Sequence, residues 1–306
     1  MRKIIIDTDI GVDDAFAIAY AAKHFDLLGL TTIFGNVQVG QAVKNAKFFS
    51  QKMHIDVPIF RGCSRPLALP PDHPNVAVHG ADGLGDAYDN PCDDHAGDAI
   101  RFIIDTVKAF PGEVTLVAIG PLTNLATAIN LAPEIIPLVN GVVIMGGAFG
   151  TDGNSGNVTP HCEFNIWKDP HAADQVLTAN WSVTLLPLDV THKVLLLGDE
   201  VRQINQQVLS DISRNYMNYS LKREGFEGMA LHDTLTISWL INPQWYTTVE
   251  SPVRVVTEGI TRGQTLYRQT HLGSRFNPFD GLKAQRLCIG VDSEAVKAHF
   301  IQSMSA

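Results

Sequence analysis

Residues 3–25 read KIIIDTDIGVDDAFAIAYAAKHF. Four aspartates, Asp7, Asp9, Asp13 and Asp14, lie here between an apolar run and an amphipathic helical pattern. Ile4 to Ile6 read as a short buried strand, β-branched and without polar alternation. Gly11 permits a tight turn, and from Ala15 the apolar residues fill consecutive helical turns. The order predicts carboxylates in the loop leaving the carboxyl end of a strand, where open α/β sheets build their sites. Four like charges this close repel one another unless something positive sits among them. A divalent cation answers that need, and oxygen-only ligands select a hard one, Ca²⁺ or Mg²⁺. Taken singly, Asp9 ends a turn and Asp13 caps a helix equally well; four acids together exceed what capping needs.

Outward from that stretch, Leu27 to Phe34 read as a second strand ending in Gly35-Asn36. Asn36 is either an ordinary turn residue or a second polar group at the same sheet edge. Residues 57–95 are proline-rich and irregular, with HGADGLG at 79–85; a loop of this length in a compact fold is often functional. Its glycines are not in dinucleotide-binding order, and His79 either reaches a site or pairs with a neighbouring carboxylate. Residues 96–110 read as a helix, 113–119 as a buried strand, and Gly120-Pro121 opens the next helix. The turn there leaves the carbonyl of Ile119 free to face a ligand. A strand over 141–145 runs into a loop with glycines at 146, 147, 150, 153 and 156. Those glycines allow close backbone approach to a small molecule, and Asn157, Glu163 and Asn165 supply groups that read hydroxyls. Further on come a strand over 181–187, a helix over 199–222 carrying Tyr216 and Tyr219, and His232-Asp233 before an apolar helix over 234–241. A His-Asp pair at that place is a helix cap, or else the proton carrier and extra carboxylate that a hydrolytic metal site requires. The tail reads as strands and a terminal helix from Ser293.

The 306 residues carry a formal net charge of −9, which argues against a nucleic-acid backbone as partner. Four widely spaced cysteines, Cys63, Cys92, Cys162 and Cys288, form no CxxC pair, so neither zinc nor a disulfide framework is indicated. The apolar run at the N-terminus is too short for a signal h-region, and no run approaches the roughly 20 apolar residues of a membrane helix. A soluble, cytoplasmic protein is expected. Strands and helices alternate along the chain, which predicts one α/β domain over 1–306: a Rossmann-like, open, mostly parallel sheet with helices on both faces.

DTDxGxDDA at 7–15, GN at 35–36, GPLTN at 120–124, MGG at 145–147, GNxTPxxEFN at 156–165, LDVTH at 188–192 and HD at 232–233 occur in that order. Together they resemble the inosine–uridine-preferring nucleoside hydrolases over about residues 3–240. The resemblance implies hydrolysis of ribonucleosides to ribose and free base around a tightly bound Ca²⁺. It implies Asp9, Asp14, Asp233 and the main-chain oxygen of Ile119 as metal ligands. Asp13, Asn36, Asn157, Glu163 and Asn165 would grip the ribose, and Asp7 would brace the metal loop from behind. His79 matches a histidine of the family's HGxxGxG-type segment, and His232 stands where the family has a histidine near the base. Homodimers or homotetramers are common among relatives.

Chemistry fits these roles. A base touching both metal and water, Asp9, is suited to take the water's proton. Attack opposite the leaving base on an oxocarbenium-like sugar predicts inversion, and His232 is the candidate acid. Gly263 to Arg268 departs from the Gly-x-Thr segment ending in aspartate that relatives often show, which puts the strand pairing near the C-terminus in question. Base preference is not readable from the segment holding Tyr216, Tyr219 and Phe226. Two other readings remain: a haloacid-dehalogenase-type phosphatase with Asp7 as nucleophile, and a nucleoside-binding protein without turnover.

Overall fold

The computed structural model describes residues 1–74, 76–153, 155–223, 225–268 and 276–305. Thirteen strands occur among them: β1 (Lys3–Thr8), β2 (Asp26–Thr32), β3 (Ile59–Arg61), β4 (Gly97–Asp98), β5 (Val114–Ala118), β6 (Gly141–Met145), β7 (Val183–Leu186), β8 (Leu195–Leu197), β9 (Gly228–Ala230), β10 (Tyr246–Ser251), β11 (Val253–Val255), β12 (Thr265–Tyr267) and β13 (Gln285–Val291). Nine form one sheet in the order β10-β13-β7-β6-β5-β1-β2-β3-β4. Every neighbour pair is parallel except β10 with β13. The expected mostly parallel α/β sheet is therefore present.

Strand β1 occupies the middle, and side-chain alternation explains its all-apolar run. Ile4 and Ile6 enter one core and Ile5 the other, each almost fully buried. Each such isoleucine contributes roughly 1.5–3 kcal/mol relative to an exposed one. The first core is covered by the helices Val12–His24, Gln207–Arg223, Thr234–Ile241 and Ser293–Ser305, the second by Ala99–Ala109, Thr123–Leu131 and Pro170–Thr178. Helices thus cover both faces.

The chain winds one way from β1 to β2, β3 and β4, and the other way through β5, β6 and β7. The switch point lies between β1 and β5, and ligand crevices form outside the carboxyl ends of strands at such a point. The segments that follow β1, β2, β5 and β6 all emerge there.

Several boundaries differ from expectation. The first helix starts at Val12, so Asp13 and Asp14 lie in its first turn rather than in the loop. The positive end of the helix dipole favours carboxylates at that position, and Asp14 Oδ2 accepts from the backbone N–H of Gly11 at 2.8 Å. The irregular segment 57–95 contains β3 and a short helix, Val76–His79. The helix expected over 199–222 is two helices, Gly198–Gln203 and Gln207–Arg223, separated at Asn205, whose φ of 54° ends the first. No Gly or Pro marks that break in the sequence. Near the C-terminus β12 pairs antiparallel with β11, outside the main sheet. Residues 269–275 lie outside the described residues.

Candidate active site

A cavity of about 310 Å³ opens at the switch point. Asp13, Asn36, His79, Ile119, Asn157, Glu163, Asn165, His232 and Asp233 all line it, together with Tyr216 and Tyr219. Residues from seven separate segments of sequence are brought together. Asp9 and Asp14 are fully buried beside this set. Phe226 does not line the cavity.

Asp13, Asp14 and Asp233 each place a carboxylate oxygen within 4.8 Å of the others. Asp9 stands outside that trio, although the charges of Asp14 and Asp13 act on it and its own charge acts on Asp233. Thr8 Oγ1 donates to Asp14 Oδ1 at 2.5 Å, and the backbone N–H of Asn36 donates to Asp9 Oδ2 at 2.6 Å. The remaining oxygen of Asp9, Oδ1, is buried with no partner, and so is Oδ1 of Asp13. Buried carboxylate oxygens without donors are costly. Burial pushes the Asp9 and Asp233 carboxyls well above the usual range, and neighbouring aspartates add to the rise. Burial with the Asp14 charge moves Asp13 to about 8. An all-oxygen cluster with orphaned acceptors is what a hard divalent cation satisfies, so these residues fit one.

Two glycines shape the floor. A Cβ on Gly35 would lie 2.0 Å from Asp9 Oδ2. A Cβ on Gly11 would lie 2.6 Å from His79 Nδ1 and 2.7 Å from Asn36 Nδ2. Gly11 has φ −94° and ψ −164°, which other residues adopt, so close approach, and not the tight turn expected from the sequence, requires glycine there.

The residues expected at the ribose are more committed to hydrogen bonds within the protein than the sequence suggests. Asn36 Nδ2 donates to Asp14 Oδ2 at 3.3 Å. Asn165 Nδ2 donates to the carbonyls of Ile119, 3.1 Å away, and Met145, 3.2 Å away. Glu163 caps the helix Phe164–Lys168, accepting from the N–H groups of Asn165, Ile166 and Gly147 at 2.8, 3.0 and 3.1 Å. Burial still raises its carboxyl to about 7. Asn157 is exposed on the cavity wall.

Three histidines border the opposite side. His79 Nδ1 accepts from the backbone N–H of Val12 at 3.1 Å, which leaves its proton on Nε2. Burial lowers its pKa to about 4. His232 Nδ1 lies 2.8 Å from Thr191 Oγ1, and burial with the charges of His192 and His79 holds its pKa well below the usual value. His192, not singled out from the sequence, lines the cavity with its ring centroid 5.2 Å from that of His232. Its place beside the LDVTH strand end was the available signal. Phe164 and Met145 were likewise not anticipated as lining residues.

Asp7 sits beneath the site. It accepts from Thr31 Oγ1 at 2.5 Å and Asn124 Nδ2 at 2.7 Å, is 2% exposed and does not line the cavity. Both bonds fall on Oδ1, and Oδ2 is buried without a hydrogen-bond partner. A carboxylate lying beneath the cavity and not on its wall is badly placed for the nucleophile of the phosphatase reading.

Comparison with known proteins agrees with this geometry. The model for the inosine-uridine preferring nucleoside hydrolases matches residues 4–298. The chain belongs to that family. This hydrolase is 36% identical to a probable uridine nucleosidase 1 of Oryza sativa subsp. japonica, over 97% of its own length and 94% of that protein. It is 38% identical to the pyrimidine-specific ribonucleoside hydrolase RihB of Escherichia coli, with 87% of each chain covered. Among solved structures, the plant nucleoside hydrolase PpNRh1 superposes with a TM-score of 0.95 at 33% identity, covering 100% and 99% of the two chains. A purine-preferring ribonucleoside hydrolase from Gardnerella vaginalis gives 0.90, also at 33%, covering 99% and 98%. The protein is thus an N-glycosyl hydrolase of ribonucleosides. Among the described residues no helix is long and apolar enough to cross a membrane.

Proposed function

We propose that this hydrolase cleaves the N-glycosidic bond of ribonucleosides, uridine among them, to ribose and free base, with Asp9 as general base at a Ca²⁺ site. The buried, unpartnered Oδ1 of Asp9 beside the aspartate cluster carries the reading. Asp9, Asp14, Asp233 and the carbonyl of Ile119 would hold the ion, with Asp13 at the ribose hydroxyls; the closeness of Asp13 to Asp14 and Asp233 makes Asp13 a neighbour of the same ion. When bound, the cation would fix a water and the ribose hydroxyls in one frame and lower the water's pKa.

Asp9 Oδ2 is fixed by the Asn36 N–H, which leaves Oδ1 to accept the water's proton. Asp13, Asn36, Asn157, Glu163 and Asn165 would grip the sugar, and their carboxylates stabilise positive charge developing at C1′. Water attack opposite the leaving base gives inversion in a single displacement. His79, with Nε2–H as a donor, and His232 face the base side, His232 passing a proton from its Nε2 to the departing base and being reprotonated from solvent after the base leaves. Asp7 braces the loop. We assign residues 1–306 to one catalytic domain, acting in the cytoplasm as a homodimer or homotetramer.

Incubation with Ca²⁺ and a panel of uridine, cytidine, inosine, adenosine and guanosine, followed by a reducing-sugar assay, tests this. Ribose release that stops on chelation is expected. Binding without sugar release would leave a nucleoside-binding protein, and vanadate-sensitive phosphate release from phosphate esters would restore the phosphatase.

A further inference from the structure

The four-residue turn Leu188–Thr191 follows β7 and bonds both to the start of the glycine-rich loop and to His232 in the cavity wall. Leu188 N–H donates to the carbonyl of Gly147 at 2.9 Å. Asp189, 1% exposed, accepts three hydrogen bonds: from Phe149 N–H at 2.8 Å, and from Thr151 N–H and Thr151 Oγ1 at 2.6 Å each. The turn is thereby pinned to the root of the glycine-rich loop that carries Asn157. Two residues on, Thr191 is fully buried and its Oγ1 meets His232 Nδ1 at 2.8 Å.

A histidine ring in a cavity wall can flip about Cβ–Cγ, which puts Cδ2 where Nδ1 was and Cε1 where Nε2 was. With Nδ1 engaged by Thr191, Nε2 is the nitrogen left for a ligand. The hydroxyl also comes from an element that Asp189 makes rigid, so the ring direction is tied to the ribose side of the cavity. A partner that orients a functional imidazole in this way governs which nitrogen is presented.

We propose that Thr191 is a positioning residue for the reaction, orienting His232 so that Nε2 faces the departing base; this rests on the role of His232 given above. The hydroxyl acts through His232 alone and touches no sugar group. Its loss therefore affects substrates whose leaving base needs a proton and spares those whose leaving group departs as a stable anion.

Steady-state kinetics on uridine and on p-nitrophenyl β-D-ribofuranoside, with the Ca²⁺-loaded enzyme, test this. Thr191→Val is expected to lower kcat on uridine about tenfold, with KM little changed and the nitrophenyl riboside affected less than about twofold. Thr191→Ser restores uridine turnover. Equal losses on both substrates, or undiminished uridine turnover, overturn the proposal. Thr191→Ala removes the same hydroxyl and replaces the valine variant if that one fails to keep the wild-type thermal midpoint. His232→Ala is the parallel control. If it hurts both substrates equally, the role of His232 is wrong and the proposal falls with it; if only the Thr191 variants do so, His232 stands and Thr191 is structural.

Discussion

The side-chain nitrogen of Asn165 donates to the carbonyl oxygen of Ile119 across 3.1 Å. One residue was expected at the ribose and the other at the metal, and this hydrogen bond joins the two sites. A partner that orients a ligand commonly changes metal affinity or activity 10–100-fold when lost. Asn165→Ala should therefore weaken Ca²⁺ binding by roughly that factor, measured by isothermal titration. Unchanged Ca²⁺ affinity alongside lost turnover would confine Asn165 to the sugar.

Asp9→Ala removes the proposed base and one ligand together. A turnover loss of about 10³-fold or more is expected, since general base catalysis alone contributes roughly 10²–10⁴-fold. Near-normal kcat in that variant would sink the assignment.

Gly35→Ala tests the position of Asp9 without altering its chemistry. The added Cβ would fall 2.0 Å from Asp9 Oδ2, and the carboxylate must shift. Displacements of about 1 Å can cost 10²-fold in rate, so kcat/KM should fall by about that factor while circular dichroism stays native. Retained activity would show that Asp9 has freedom the packing denies.

His232→Ala should affect inosine and uridine unequally, because their leaving bases differ in their need for a proton. Identical losses in kcat for the two would count against His232 as the acid.

The buried carboxyls set a pH dependence for the metal-stripped protein. Asp7 and Glu163 rise to about 7 and Asp13 to about 8 in the fold, from unfolded values of 3.8 to 4.5. Between these limits the folded state binds more protons than the unfolded one, so stability falls as pH rises. Buried His79, lowered to about 4 from 6.5, acts in the opposite sense only below pH 6.5. From pH 6.5 to 8 the thermal midpoint of chelator-treated protein should therefore drop, and added Ca²⁺ should raise it more at pH 8 than at pH 6.5. A midpoint that climbs over this interval without metal would contradict the carboxyl shifts.

Local pattern made much of the molecule legible. The β-branched run Ile4–Ile6 predicted a strand buried on both faces, and Gly141–Met145, Thr234–Ile241 and the helix from Ser293 stand where the periodicity placed them. Of the eleven residues expected at the site, nine line the cavity and Asp9 and Asp14 lie buried beside it, because motifs at strand ends converge wherever parallel strands share one edge. The break at Asn205 was not legible, since a left-handed Asn carries no signal as strong as Gly or Pro.

The aspartates of the opening stretch mark the division. Their charge and spacing by themselves pointed to a carboxylate cluster beside β1 suited to a cation, because like charges at that density need a counterion. Only the tertiary structure decided which oxygens are free. Thr31 and Asn124 both take Oδ1 of Asp7, from β2 and from the helix after β5, and leave its Oδ2 beneath the cavity; the Asn36 N–H takes one oxygen of Asp9, and Asp233 arrives from more than two hundred residues away. Hydrogen-bond donors from distant segments distinguish four similar side chains, and no local pattern records where those donors will stand.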